Sequence, residues 1–240
     1  MGVAFDGWRD DDPPRRHRRA GAAREAELRV LFLGPRQSPL VGYLEVMGND
    51  VVATMDPIDV AYLEAHSPNF IVSYGYRHIL KRDVLDRYPD RVINLHVSYL
   101  PWNRGADTNF WSYVEDTPKG VTIHYVDEGV DTGDIIAQRR IHLSDTDTLR
   151  TSYERLHATI QTLFKEHWLA IRAGRCRRRP QHGSGTYHRT KDKEGLSHLL
   201  SHGWDTPVAA LQEYAADTQM SAQFWETYDD EVLSLKALQV

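Results

Sequence analysis

Short apolar runs that alternate with amphipathic stretches constrain this chain more than any other feature. Leu28-Arg29-Val30-Leu31-Phe32-Leu33 has the pattern of a buried strand and ends at Gly34. Pro39–Met47 then reads as a short helix, Asp50–Thr54 as a strand and Asp59–Glu64 as a helical turn. Phe70–Ser73 reads as a strand, Arg82–Arg87 as a helix and Val92–Leu95 as a further strand. Thr108–Tyr113 follows as a short helix anchored by Phe110 and Trp111. Gly120–Tyr125 is a strand with Val121, Ile123 and Tyr125 on one face, and Ile135–Ala137 is another. Leu149–Ala173 is a long helix, with Tyr153, Leu156, Ile160, Leu163, Phe164, His167 and Ile171 at three-to-four spacing and Gly174 as its stop. Strands alternating with helices predict an α/β fold on a doubly wound, mostly parallel sheet. Ligands meet such sheets at the carboxyl ends of the strands. Gly34, Gly75 and Asn94 fall there.

A length of 240 residues suits one α/β domain with a small appendage. Residues 1–27, with Asp10-Asp11-Asp12-Pro13-Pro14 and then Arg15-Arg16-His17-Arg18-Arg19, have little to bury and are expected to form a disordered tail. The main domain is expected over 28–180. Residues 181–240 are expected to form a small C-terminal subdomain and a candidate dimerisation element, with a polar loop at Gly183–Asp192 and short helices over 205–235. The single cysteine, Cys176, excludes a disulfide within the chain, and its arginine neighbours could lower its pKa. A net charge of −5 argues against broad nucleic-acid binding. No apolar run reaches the ~20 residues that span a bilayer, and no secretory apolar region follows the N-terminus. The expectation is a cytoplasmic protein with neither a membrane nor a nucleic acid as partner.

Two nucleotide-binding signatures are missing. The stretch after the first strand, L-G-P-R-Q-S-P-L-V-G, lacks G-x-G-x-x-G, and Pro35 and Pro39 obstruct a glycine turn into a helix. A dinucleotide cofactor is therefore disfavoured. No G-x-x-x-x-G-K-[ST] occurs either.

Three polar residues stand out instead. Asn94 and His96 lie in N-L-H at the end of a strand, and residues i and i+2 share a face. Asp131 lies in D-E-G-V-D-T-G-D, a glycine-rich acidic loop. Transfer of an acyl group to an amine needs a donor to the developing oxyanion and an acceptor for the amine proton. Asn94 offers an amide N–H, His96 titrates near neutrality, and Asp131 can hold the imidazole or favour its charged form. No Ser or Cys nucleophile lies beside them in sequence, which favours direct transfer. Arg104 could meet a phosphate or tie down its loop. Gly129 and Gly133 would let the backbone approach a flat ring. A metal site of His96, His124 and Asp131 would need bent strand geometry, so no metal is expected.

N-L-H-x-S-x-L-P-x-x-R-G followed by G-V-T-I-H-x-x-D-E-G-x-D-T-G-D-I resembles the formyltransferases that use N10-formyltetrahydrofolate. The likeness runs from Leu28 to Ala173 and is densest from Phe70 to Ile136. It implies a Rossmann-like formyltransferase fold over 28–180, with N10-formyltetrahydrofolate as co-substrate. It places the catalytic residues at Asn94, His96 and Asp131. It places the folate loop at Tyr76, Arg77, His78, Ile79 and Leu80, closed on the other side by Tyr125, Asp127 and Val130. Within the family, L-P-W-N-R-G-A-D-T-N-F-W-S and G-T-Y-H-R-T-K-D are similar to sugar N-formyltransferases of the dTDP-amino-sugar type. That implies a nucleotide-sugar substrate such as dTDP-4-amino-4,6-dideoxyglucose, in lipopolysaccharide or natural-product biosynthesis, and a homodimer. Trp102, Asn103 and Arg104 would border the sugar or diphosphate, and Tyr187, His188 and Lys191 the nucleotide. Thr108 departs from the proline expected there. A transfer-RNA substrate would call for a further C-terminal barrel, whereas only residues 181–240 follow the main domain here. Other readings stay open: an amino acid or hydroxyornithine acceptor, a methionyl-tRNA formyltransferase-like enzyme, or a non-catalytic folate- or nucleotide-binding protein.

Overall fold

The structure is a computed structural model that describes residues 27–142, 144 and 146–218. The expected tail up to residue 26 and the expected helices beyond 218 lie outside the described residues.

Six strands form the central sheet in the order β2-β1-β3-β4-β6-β7. They are β1 (Arg29–Leu33), β2 (Asp50–Thr54), β3 (Phe70–Ser73), β4 (Val92–His96), β6 (Gly120–Tyr125) and β7 (Ile135–Arg140). A short β5 (Arg104–Gly105) pairs in parallel with β8 (Tyr187–His188) outside the main sheet. The helices are α1 (Pro39–Val46), α2 (Val60–His66), α3 (Arg82–Leu85), α4 (Thr108–Val114), α5 (Leu149–Arg172) and α6 (Val208–Asp217), with two 3-10 segments at Thr190–Leu200 and Gly203–Asp205. Ser38 caps α1, whose first residue is Pro39, so the prolines that break a dinucleotide loop start a helix here.

The inner strands β1 and β3 are apolar on both faces because both faces are covered. Val30 and Phe32 of β1 face one way, onto Leu40 and Leu44 of α1 and Leu156, Ile160 and Phe164 of α5. Leu31 and Leu33 face the other way, onto Leu63 of α2 and Val84 of α3. The buried stripe of α5 runs through Leu149, Ser152, Leu156, Ile160, Leu163, Phe164, Trp168 and Ile171. This corrects two expected positions. His167 turns its Nδ1 to the Leu163 carbonyl at 2.9 Å, and Trp168 takes the core place with its ring edge-on to Phe70. Tyr153 faces outward.

Strands β2, β1, β3 and β4 are parallel, but β4–β6 and β6–β7 are antiparallel. The switch follows from the connection after β4. A parallel crossover must carry the chain back along the sheet. Helix α4 instead packs against α6 and α5, so β6 begins beside the end of β4, with Thr122 opposite His96. Residues after 180 return to the main domain. Val208 and Leu211 of α6 pack with Phe110, Trp111, Val114 and Leu149. No described helix is long and apolar enough to cross a membrane.

Candidate active site

The carboxyl end of β4 delivers Asn94 and His96, and the loop between β6 and β7 delivers Asp131. The three side chains converge. Asn94 Nδ2 donates to Asp131 Oδ1 at 3.1 Å. His96 Nδ1 lies 3.6 Å from the same oxygen, long for a hydrogen bond and close for an ion pair. The Gly105 N–H donates to Asp131 Oδ2 at 2.9 Å. Gly105 has φ 84°, and a Cβ there would collide with the His188 carbonyl. Only glycine can bring that N–H to the carboxylate.

A fourth residue joins them. The β4–β6 register sets His124 directly opposite Asn94. Its Nε2 is 3.3 Å from Asn94 Nδ2 and 3.5 Å from Asp131 Oδ1. Sequence reasoning weighed His124 only as a metal ligand, because nothing along one strand reveals an antiparallel register. Among the described residues no group of three or more acidic, cysteine or histidine side chains is arranged to hold a metal ion.

The hydrogen-bond partners fix both imidazole tautomers. His96 Nε2 faces the Asn103 carbonyl at 3.0 Å, and a carbonyl can only accept, so Nε2 carries the proton. The Nδ1 lone pair of neutral His96 is left facing Asp131. His124 Nδ1 donates to the Tyr125 carbonyl at 2.7 Å, which leaves its Nε2 to accept from Asn94. Flipping Asn94 would set its carbonyl against a carboxylate, so the assigned orientation is the favourable one. Burial lowers the His96 pKa below its ordinary value, and the Asp131 charge opposes this only in part. For Asp131, burial pushes upward. The charge that His96 carries when protonated, the neighbouring His124 and the Gly105 N–H outweigh it and hold the carboxyl well below the usual carboxylate range. At neutral pH the site therefore holds an anionic Asp131 beside a neutral, basic His96.

Asp131 sits at φ 54°, in the left-handed region. Gln181 holds it there. Its Nε2 donates to the carbonyls of Asp131 at 2.8 Å and Gly133 at 2.9 Å, while its Oε1 accepts from Arg104 Nη2 at 2.8 Å. Arg104 also donates to the Ser184 carbonyl. Of its two expected roles, the structure supports the tie between loops.

Other expected site residues divide. Asn94, His96, Asp131, Tyr76 and Arg77 line one cavity of about 540 Å³, together with Tyr153, His157, Lys193 and Trp204. That size falls within the roughly 300–1,000 Å³ of small-molecule sites. Tyr76 and Leu80 share an apolar cluster with Val126, so the two expected folate loops adjoin. Arg77, His78 and Ile79 are exposed, Ile79 by 76%, and Val130 is partly exposed beside Asp131.

Several expected ligand contacts are corrected. Tyr125 is buried beneath the Arg178 guanidinium, 4.3 Å from its ring centre. Asp127 accepts from the Gly129 N–H and Thr132 Oγ1 and so shapes its own loop. A Cβ at Gly133 would strike the Tyr125 carbonyl, and one at Gly129 the Thr132 side chain. The close approaches of these glycines are thus internal to the loop. Trp102 and Asn103 are 2% and 1% exposed and do not line the cavity. Asn103 instead bridges Glu115, Thr117 and Thr186. His188 donates Nε2–H to Glu115 at 2.7 Å and stacks on Trp111 at 3.7 Å, while Tyr187 is half exposed. Lys191 is exposed. The lysine in the cavity is Lys193, paired with Asp107. Burial raises the Cys176 thiol pKa, so its arginine neighbours do not activate it.

A mostly parallel α/β sheet with an amide, an imidazole and a carboxylate at its carboxyl edge defines a class built to handle a carbonyl and a proton together. The formyl transferase family model matches residues 33–172, and the chain belongs to that family. It is 50% identical to the formyltransferase PseJ from Anoxybacillus kamchatkensis, solved with UDP-4,6-dideoxy-4-formamido-L-AltNAc and tetrahydrofolate. That likeness has a TM-score of 0.75 and covers 78% of this chain and 99% of the other. It is 36% identical over 106 residues to the phosphoribosylglycinamide formyltransferase of Bacillus subtilis (strain 168), covering 44% of this chain and 54% of that one. It is 43% identical over 99 residues to the methionyl-tRNA formyltransferase of Anaeromyxobacter dehalogenans (strain 2CP-C), covering 41% of this chain and 32% of that one. The chain thus spans about half, or less, of these two curated relatives.

Proposed function

We propose that this protein transfers the formyl group of N10-formyltetrahydrofolate directly to the amine of a nucleotide-linked amino sugar. The observation that carries the reading is the convergence of Asn94, His96 and Asp131 on the wall of a cavity of about 540 Å³. The likeness to PseJ supports a UDP-linked 4-amino-4,6-dideoxy sugar ahead of the dTDP-linked glucose derivative. Tyr76, Arg77, His78, Ile79, Leu80 and Val130 would hold the folate, which supplies the one-carbon unit when bound.

The residues divide the work as follows. Asn94 gives its shorter N–H contact to Asp131 and its longer one to His124. The longer contact is the weaker, so that N–H is the one to redirect toward negative charge developing on the formyl oxygen. His96, neutral and with its Nδ1 lone pair inward, takes the proton released as the sugar amine attacks, and returns a proton to the folate nitrogen as the formyl C–N bond breaks and tetrahydrofolate leaves. Asp131 then faces an imidazolium at ion-pair distance and stabilises it. The Asn103 carbonyl keeps the tautomer in register throughout.

The test is direct. Purified protein, N10-formyltetrahydrofolate and UDP- or dTDP-linked 4-amino-4,6-dideoxy sugars are incubated, and the formylated sugar is measured by mass. Formylation of the UDP-linked sugar is expected. Good tetrahydrofolate binding with no formylated sugar from either series would overturn the reading.

A further inference from the structure

Part of the wall of the cavity is built from groups that the transfer chemistry does not use. Tyr153 and Trp204 are 37% and 52% exposed, with ring centres 5.1 Å apart. Trp204 stands in the 3-10 turn Gly203–Asp205, which Asp205 anchors to Arg150 at 2.9 Å. Tyr153 also lies against His157 at 4.1 Å. His157 presents an unmet ring nitrogen. Tyr74 Oη accepts from Gln161 Nε2 at 3.2 Å and shares a hydrogen bond with His157 Nδ1 at 2.5 Å. His157 Nε2 is buried and has no hydrogen-bond partner among the described residues. Burial lowers the His157 pKa to about 4, which keeps the ring neutral. Arg77 lies close enough to Tyr153 to offset part of the upward push of burial on that phenol. No described carboxylate pairs with Arg77.

We propose that Trp204, Tyr153, His157 and Arg77 form the nucleoside diphosphate subsite. The pyrimidine stacks on the Trp204–Tyr153 wall, a polar group of the ligand meets the unpartnered His157 Nε2, and Arg77 meets the diphosphate. An aromatic face, a neutral polar ring nitrogen and a cation match the three parts of such a ligand. The subsite shares its cavity with the trio, so a bound nucleotide would leave its sugar toward His96. The proposal rests on the nucleotide-sugar reading and reassigns Arg77 from the folate loop.

Calorimetric titration of the full chain with UDP and, separately, with tetrahydrofolate tests it. Trp204→Ala and Arg77→Ala are each expected to weaken UDP on the order of tenfold or more. Trp204→Ala should leave tetrahydrofolate affinity unchanged. His157→Phe should weaken UDP, and His157→Gln, which keeps a polar group near the Nε2 position, should restore much of the loss. Wild-type UDP affinity in both the Trp204 and Arg77 variants, with sugar formylation intact, would overturn this subsite alone. A wild-type protein that binds tetrahydrofolate but neither UDP nor the nucleotide sugar would overturn it together with the reading on which it rests.

Discussion

Asp131 gathers more of the site than any other side chain. It touches Asn94, Gly105, His96 and His124. It is also the group that gives His96 a reason to accept a proton. His96 supplies the basic lone pair, so His96→Asn is expected to cut formyl transfer about 10²-fold or more while tetrahydrofolate affinity holds. Steady-state rates and a folate titration check this. Because burial depresses the His96 pKa, the acid limb of kcat/KM should fall below the ordinary imidazole value of ~6.5. A pH–rate profile with the limb above that value would count against the assignment. His157 has a different consequence, in stability. Its pKa falls to about 4 in the fold and is ~6.5 when unfolded. The unfolded chain therefore binds the proton first, and stability is lost as pH falls from ~6.5 toward about 4. Denaturant titrations of His157→Gln should show a flatter pH dependence across that window. The Asp131 contribution has its own window, since its depressed pKa gives stability that is lost only below ~3.9.

Between residues, the decisive device is the clamp of Arg104 and Gln181. It ties β5 to the loop that carries Asp131 at a positive φ. Gln181→Ala releases two loop carbonyls and one guanidinium partner. Its expected effect is a lower kcat with a modest loss of thermal stability, measured by turnover and by scanning calorimetry on the same sample. Much at this scale was legible in the sequence. β2, β3 and β6 match their expected limits, β3 because its apolar run F-I-V is buried on both faces. Asn94, His96 and Asp131 were legible because two of them share a strand face and the third sits in a distinctive loop. What was hidden depends on pairing between distant segments. The β4–β6 register brings in His124. The rotation of α5 sends Trp168 inward and Tyr153 to the cavity. The Gln181 clamp spans 50 residues to the Asp131 carbonyl. Trp102 and Asn103 looked like ligand contacts because a motif shows residue type and hides burial.

At the scale of the molecule, the described chain after residue 180 completes the site. The β5–β8 pair sets the backbone that places Gly105 against Asp131, and Lys193, Leu200 and Trp204 line the cavity. Leu211 on α6 is fully buried among Phe110, Trp111 and Leu149. Leu211→Ala is expected to cost about 2–5 kcal/mol and to lower the midpoint of the whole unfolding transition, followed by circular dichroism. A separate early transition would show that α6 folds independently. Formyl transfer to an amino sugar by Asn94, His96 and Asp131 is tested by the rate of formylated-sugar formation from the UDP-linked 4-amino sugar, measured for the wild-type protein and for His96→Asn, side by side, at saturating folate. Turnover by the wild type and about 10²-fold less in the variant are expected. Equal rates from the two proteins would remove His96 from the chemistry and overturn the assignment.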